Sequence, residues 1–135
     1  MHGLFEAARD AMAKSHSPYS DFPVGAAILT AEGTVYTGAN MEVISYPEGW
    51  CAETSAIAAM VCGAGTAEGR RIEEVVVVAE PVDGRMVSPC GGCRQRLAEF
   101  AGPETRLHLC DRDGVTDTVL LKDIFPMGFE AEALR

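Results

Sequence analysis

Two cysteines separated by two glycines, Cys90 and Cys93 in the stretch SPCGGCRQ, are the first candidates for chemistry. A C-x-x-C pair can be a redox couple, half of a structural zinc site, or part of a catalytic metal site. The strand-like VVVVAE before the pair suits a redox motif, but a thioredoxin-like pair usually has an aromatic or charged residue near it, and both intervening residues here are glycine. A structural zinc site needs four protein ligands, and the chain has no second C-x-x-C pair and only scattered histidines, His2, His16 and His108.

A third cysteine and a carboxylate lie upstream in WCAETSA, where Cys51 is predicted to begin a helix and Glu53 falls in its first turn. A thiolate and a carboxylate are both stabilised at a helix N-terminus. If this helix packs beside the one that begins at Cys90, three thiolates converge. They can bind zinc and leave the fourth tetrahedral position to water, as in a catalytic site, with Glu53 placed to move a proton. Taken singly, Cys51 fits a small buried hydrophobe and Glu53 a helix-dipole residue, but the combination favours catalysis.

The elements that must position these residues follow from hydrophobic periodicity and turn signals. The predicted order is helix, hairpin, helix, strand, helix, hairpin and short helix. We therefore predict a single domain, residues 1–135, with an α/β fold: a three-layer α/β/α sandwich around a five-stranded mixed sheet. The segments are LFEAARDAMAK, PVGAAILT with TVYTGANM, CAETSAIAAMVCGAG, IEEVVVVAEP, SPCGGCRQRLAEFAG, TRLHLCDRDGVTDTVLL with an Asp-Gly turn, and LKDIFPMGF.

Charge and cysteine content narrow the class of protein. The 135 residues carry a formal net charge of -9, which disfavours nucleic acid or an anionic membrane as a partner. The N-terminal residues have no long apolar core, and the longest aliphatic run is Val75 to Val78, so neither a signal peptide nor a membrane span is predicted. Five cysteines, an odd number, point to a reducing cytoplasm.

The combination of CAE with PCGGCRQ resembles the zinc-dependent cytidine deaminases, in their small homotetrameric branch. The resemblance covers nearly the whole chain. YSDFPVGAAILT is similar to the family's first strand, TGANMEVISYPEGWCAE to its Asn-x-Glu loop, and IFPMGF to its C-terminal end. It implies hydrolytic deamination of cytidine and deoxycytidine in pyrimidine salvage, by a homotetramer with sites near the subunit interfaces.

The resemblance also implies residue roles. Cys51, Cys90 and Cys93 would bind one Zn²⁺ per subunit, and Glu53 would shuttle protons. The substrate-binding set would comprise Asn40 and Glu42 for the ribose, Phe22 for the pyrimidine, backbone groups around Ala52 and Ser88 for the base edge, and Phe129 for a neighbouring subunit's site.

The chain departs from the family in two places. Many relatives carry Arg directly after the Cys-Ala-Glu glutamate, where this chain has Thr54. Because three thiolates leave excess negative charge on Zn²⁺, a nearby Arg would damp it, and Arg94 is the predicted substitute, with a solvated helix charge as the alternative. We expect Arg94→Ala to impair activity more than zinc retention. The loop from Val43 to Trp50 is bulkier than usual, and Trp50 itself fits core or interface packing.

The sequence is also compatible with other functions. The chain could deaminate another small aminopyrimidine nucleoside, or be a non-catalytic zinc or nucleoside-binding module, although the intact Glu53 argues against the module. Editing of polynucleotides is disfavoured by the negative charge, few aromatics and the absence of a His-x-Glu motif. Cys62 and Cys110 are predicted to be buried thiols. His108 is predicted to lie on the strand face opposite Leu107 and Leu109, without a catalytic part.

Overall fold

The computed structural model describes residues 2–114 and 116–134. Its helices are α1 (His2–Met12), α2 (Ala52–Gly63), α3 (Gly91–Phe100) and α4 (Leu121–Ile124). Its strands are β1 (Val24–Thr30), β2 (Val35–Ala39), β3 (Ile72–Ala79), β4 (Ala101–Cys110) and β5 (Thr116–Leu120). The element order is the predicted one. No helix in these described ranges is long and apolar enough to cross a membrane.

The five strands form one mixed sheet in the order β2-β1-β3-β4-β5. Only β3 and β4 run parallel, because α3 crosses over between them, and the other neighbours are antiparallel. The last pair, β4 and β5, is the predicted antiparallel hairpin. The predicted five-stranded mixed sheet is therefore confirmed.

The consecutive valines of β3 place apolar side chains on both faces of the sheet. Val75 and Val77 pack under α2 and α3, together with Ile57, Met60 and Leu97. On the opposite face, α1 covers Val76 and Val78 through Leu4, Phe5 and Ala8. Burial of each of these side chains other than that of Ala8 contributes about 1.5–3 kcal/mol. Helices on both faces give the predicted three layers.

Two glycines allow helices to lie unusually close to the sheet. A Cβ at Gly38 of β2 would lie 2.4 Å from the backbone nitrogen of Ala56 and 2.6 Å from the carbonyl oxygen of Ala52. One at Gly25 of β1 would lie 2.0 Å from the carbonyl oxygen of Ala8. Since no side chain could be accommodated at either place, Gly38 fixes the first turns of α2 directly over β2.

Three side chains whose burial was in question are those of Cys62, Cys110 and Trp50. Cys110 is buried, as predicted. Cys62 is exposed, so its predicted burial is wrong. Helix α2 packs through positions 52, 53, 56, 57 and 60, and position 62 falls off this stripe. Trp50 is 48% exposed and is not part of the core of the described chain.

His108 lies on the predicted face, opposite Leu107 and Leu109, and is 6% exposed. Its Nε2 lies 2.8 Å from Oε1 of Glu74 and its Nδ1 lies 2.8 Å from the hydroxyl of Thr118. Arg106 adds an ion pair to the same carboxylate at 3.4 Å. The hydrogen bond from His108, with the charge of Arg106, lowers the pKa of Glu74. This polar group joins β3, β4 and β5 across the sheet.

We expect Glu74→Gln to lower the free energy of unfolding at pH 7 by about 1–2 kcal/mol, because it removes a hydrogen bond to a charged group. The pKa of Glu74 is lower in the folded state, so its contribution is present above the unfolded pKa and is lost as pH falls through the folded one. The two proteins should therefore converge in stability once the pH has fallen below the folded-state pKa of Glu74, which lies under the ordinary value for a glutamate. Urea unfolding of the zinc-loaded proteins at several pH values measures this. Exposed Glu73 provides the control variant, Glu73→Gln, and an equal loss in that variant would contradict the assignment.

Candidate active site

Cys51 and Cys90 occupy equivalent positions, each directly before the first residue of a helix. Both have extended backbone angles, φ -71° and ψ 158° for Cys51 and φ -65° and ψ 167° for Cys90. Their carbonyl oxygens accept the first helical hydrogen bonds, from Ser55 at 3.0 Å and from Arg94 at 2.9 Å. Each thiol therefore stands at a helix N-terminus, where unpaired N–H groups favour negative charge.

The two helices pack on one face of the sheet and bring three sulfur atoms together. The Sγ atoms of Cys51, Cys90 and Cys93 all lie within 4.8 Å of one another, and those of Cys51 and Cys90 are 3.9 Å apart. Sulfurs bound at about 2.3 Å to one tetrahedral zinc would be about 3.8 Å apart, so this donor set fits the ion. Within the described residues, this is the one group of three or more potential ligands that could hold a metal.

The three thiols are electrostatically coupled. A hydrogen bond from Cys93 lowers the pKa of Cys51. The same bond, with burial, raises the pKa of Cys93, whose side chain is fully buried. One thiolate is thus stabilised by a neighbouring thiol, and binding of a metal to all three sulfurs must release protons.

Glu53 stands beside the sulfurs in the first turn of α2 and is 5% exposed. Burial raises the pKa of its carboxyl group. Its negative charge opposes the ionisation of the Cys51 and Cys93 thiols, although the hydrogen bond from Cys93 still leaves the pKa of Cys51 lowered. A carboxylate with a raised pKa beside a metal site is suited to exchange protons near neutral pH.

The hydroxyl of Thr54, the residue that stands where an Arg is usual, also reaches the sulfur cluster. The Oγ1 of Thr54 lies 3.4 Å from the Sγ of Cys93. Nη1 of Arg96 donates to the same hydroxyl oxygen at 3.1 Å. Sequence analysis missed Arg96, although its spacing of three residues from Cys93 places both on one face of α3.

Arg94 was predicted to support the thiolates, and its observed contacts differ. Its Nε donates to the carbonyl of Pro89, its Nη1 to the carbonyl of Ile124, and its Nη2 to the hydroxyl of Ser88, at 2.8, 2.8 and 2.9 Å. None of these bonds to described residues reaches a cysteine sulfur. The expected thiolate contact is therefore corrected: the side chain of Arg94 points away from the sulfurs and joins the loop before α3 to the last residue of α4.

A cavity of about 430 Å³ adjoins the sulfur cluster. Backbone hydrogen bonds of 2.9 Å in both directions join Met41 and Trp50, and so close the intervening loop against the start of α2. The cavity thus combines aromatic walls with a few polar groups, as small-molecule sites do. Its lining includes Tyr19, Asn40, Glu42, Tyr46, Trp50 and Cys51.

Asn40, predicted to bind ribose, is held by the chain itself. Its Nδ2 donates to the carbonyl of Phe22 at 2.9 Å, and its Oδ1 accepts from the backbone of Val24 at 2.9 Å and from the hydroxyl of Ser15. One N–H of the amide remains for a ligand.

Glu42 lies at the same wall. Its Oε1 accepts from the backbone amides of Tyr19 and Ser20 at 3.0 and 3.1 Å, and its Oε2 accepts from the hydroxyl of Ser20. The Ser20 hydroxyl and these amides lower the pKa of the Glu42 carboxyl. The carboxylate stays charged at neutral pH and retains an acceptor position towards the cavity.

The other predicted substrate contacts are spread more widely. Phe22 is half-buried beside Asn40, Ala52 is buried at the start of α2, and Ser88 is exposed. Phe129 is 63% exposed and lines a different cavity, of about 490 Å³, between α3 and the C-terminal segment. Two hydrogen bonds between its backbone and the side chain of Gln95, at 2.8 and 3.1 Å, hold it there. Among the described residues that line the cavity beside the sulfurs, Phe129 is absent.

The sequence is similar to those of known proteins over nearly its whole length. A family model described as the cytidine and deoxycytidylate deaminase zinc-binding region matches residues 2–108. A cytidine deaminase of Halalkalibacterium halodurans is 38% identical over 133 residues, which cover 98% of this chain and 96% of that protein. One of Sporosarcina psychrophila is 34% identical over 97% of this chain and 92% of that protein.

Solved structures are similar over nearly the same length. The crystal structure of cytidine deaminase from Burkholderia pseudomallei superposes with a TM-score of 0.83 at 36% identity, covering 95% of this chain and 98% of that one. The cytidine deaminase of Mycobacterium tuberculosis gives a TM-score of 0.77 at 33% identity, with 96% of each chain covered.

Proposed function

The chain belongs to the family of zinc-binding cytidine and deoxycytidylate deaminases, and from that membership we propose that it removes the amino group of cytidine and deoxycytidine by hydrolysis. The observation that carries the proposal is the cluster of three thiols with a buried carboxylate beside a cavity lined by Asn40 and Glu42. The products are uridine or deoxyuridine and ammonia, which is a reaction of pyrimidine salvage.

Cys51, Cys90 and Cys93 would hold one Zn²⁺ per subunit. When bound, the ion supplies Lewis acidity, which brings the pKa of a water molecule towards about 7. Three protein ligands, rather than four, leave room for that water. The buried side chain of Cys93 anchors the set, while Cys51 and Cys90 face the open side.

Glu53 would carry the protons. Its carboxylate takes one proton from the attacking water as the water oxygen bonds to C4 of the ring, and delivers it to N3. The second proton of the water passes through the same carboxylate to the exocyclic amine, so that the C4–N bond breaks and ammonia leaves. Its burial keeps bulk water from competing for these protons.

Substrate contacts are assigned from the cavity and the resemblance together. The free N–H of Asn40 and the carboxylate of Glu42 suit the hydroxyl groups of a ribose. Phe22 packs on the pyrimidine, and backbone groups near Ala52 and Ser88 bind the edge of the base. Phe129, exposed in one subunit, would complete the site of a neighbouring subunit in a homotetramer. Free nucleosides, rather than nucleic acid, suit a net charge of -9. Five free cysteines suit a reducing cytoplasm.

The test is turnover by the purified, zinc-loaded protein. Cytidine and deoxycytidine should lose ultraviolet absorbance and release one ammonia per uridine product, with kcat of about 1–10³ s⁻¹. Cytosine, without a sugar, and cytidine monophosphate serve as comparison substrates in the same panel, together with other aminopyrimidine nucleosides. Preferred turnover of another nucleoside would redirect the proposal to that substrate. Binding of cytidine without any change in absorbance would contradict it and indicate a binding module.

A further inference from the structure

A hydrogen-bonded chain connects a positive charge at the surface to the buried sulfur of the metal site. It runs from the guanidinium of exposed Arg96 to the hydroxyl of Thr54 at 3.1 Å, and from that hydroxyl to the Sγ of Cys93 at 3.4 Å. Thr54 is 9% exposed and Cys93 is fully buried. These two hydrogen bonds therefore link the surface charge to a sulfur that solvent does not contact.

The direction of both hydrogen bonds follows from the donors available. A guanidinium group can only donate, so the oxygen of Thr54 must accept from Arg96. The hydroxyl has a single proton, and that proton is then free to point at Cys93. When Cys93 is a thiolate, Thr54 is a donor to it, polarised by the positive charge behind it.

The shape of α3 favours this placement of Arg96. A Cβ at Gly92 would lie 3.2 Å from Nη1 of Arg96, so the guanidinium lies across the glycine, one turn back along the helix. Arg94, two residues earlier, is committed to Pro89, Ser88 and Ile124. Of these two arginines on α3, Arg96 is the one linked to a sulfur.

Three thiolates on one Zn²⁺ give the site a formal charge of -1, and strong donation by sulfur weakens the Lewis acidity of the ion. We propose that Arg96, acting through the hydroxyl of Thr54, is a positioning residue that withdraws electron density from the Cys93 thiolate and so preserves the Lewis acidity of the bound zinc. This inference rests on the proposed function, since it assigns a purpose to the same site. In this arrangement Arg96 affects the metal site only through Thr54.

The test compares Arg96→Met, which keeps the length of the side chain but removes the charge, with Thr54→Val, which keeps the shape but removes the hydroxyl. Each should lower kcat for cytidine about 10-fold and leave KM unchanged. The double variant should lose no more than Thr54→Val alone, because Arg96 acts through Thr54. Arg71→Met, at an exposed position away from α3, is the matched control, and Thr54→Ser should retain most of the activity because it keeps the hydroxyl.

A second measurement does not depend on turnover. In the cobalt(II)-substituted protein, loss of the hydrogen bond should move the thiolate-to-cobalt charge-transfer absorbance to longer wavelength in Arg96→Met and Thr54→Val, but not in Arg71→Met. An unshifted absorbance, or additive losses of kcat in the double variant, would overturn the inference. If the parent protein fails to deaminate cytidine while the cobalt absorbance shifts as described, the proposed substrate is wrong and the link from Arg96 to Cys93 stands.

Discussion

Glu53→Gln is expected to lower kcat for cytidine by about 10²–10⁴-fold and to leave the zinc content at one ion per chain. The substitution preserves the size of a side chain that is 5% exposed at the start of α2, so the three sulfurs should keep their places. A carboxamide cannot take a proton from water at neutral pH, and both proton transfers assigned to Glu53 are lost together. Since the group acts on the reacting atoms, the fall should appear in kcat rather than in KM.

Metal analysis and steady-state kinetics on the same preparation separate this role from a structural one. Glu104→Gln changes an exposed carboxylate of β4 in the same way and should leave both zinc and kcat unchanged. The assignment of Glu53 fails if Glu53→Gln, with its zinc retained, deaminates cytidine at the parent rate.

Cys93→Ser is expected to cost both the metal and the activity. Its sulfur is fully buried between the two helix N-termini, and a serine hydroxyl is a poor zinc ligand at neutral pH. Loss of a residue that only orients a ligand already costs up to about 100-fold in metal affinity, so loss of a ligand should exceed that. The thermal midpoint should fall as well, because bound metal stabilises the folded state by mass action.

Dialysis against a chelator, followed by metal analysis and thermal unfolding, measures this. Cys62→Ser is the matched control, since Cys62 is an exposed thiol in the last turn of α2. It should keep one zinc, full activity and the parent thermal midpoint. A Cys93→Ser protein that still holds one zinc after dialysis would remove Cys93 from the ligand set.

Much of the fold could be predicted because its signals are local. The valine run of β3, the Gly-rich end of α2 and the Asp-Gly turn before β5 each define an element from neighbouring residues alone. The sulfur cluster could be predicted for the same reason. Its members stand at two helix starts, and a parallel crossover brings such starts to one edge of the sheet.

The contacts around the cluster were harder to predict because they depend on the rotation of α3. Arg94 was chosen because it follows Cys93 in the chain, yet residues three apart share a helix face, which places Arg96 over Cys93 and Arg94 towards Ile124. The hydrogen bonds of Asn40 with the backbones of Phe22 and Val24 join segments that are distant in sequence, and no local sequence pattern predicts them. The exposure of Cys62 likewise follows from which stripe of α2 meets the sheet.

The two cysteines at the helix starts, Cys51 and Cys90, are 39 residues apart in the chain. A metal that bridges them is therefore also a reversible cross-link, which closes a loop containing all of α2 and all of β3. By the loop-closure relation used for disulfides, a link of this length restricts the unfolded chain by about 4 kcal/mol. The concentration of free zinc thus sets the stability of the folded protein as well as its catalytic activity. Protein prepared without zinc should therefore be cut more readily by proteases.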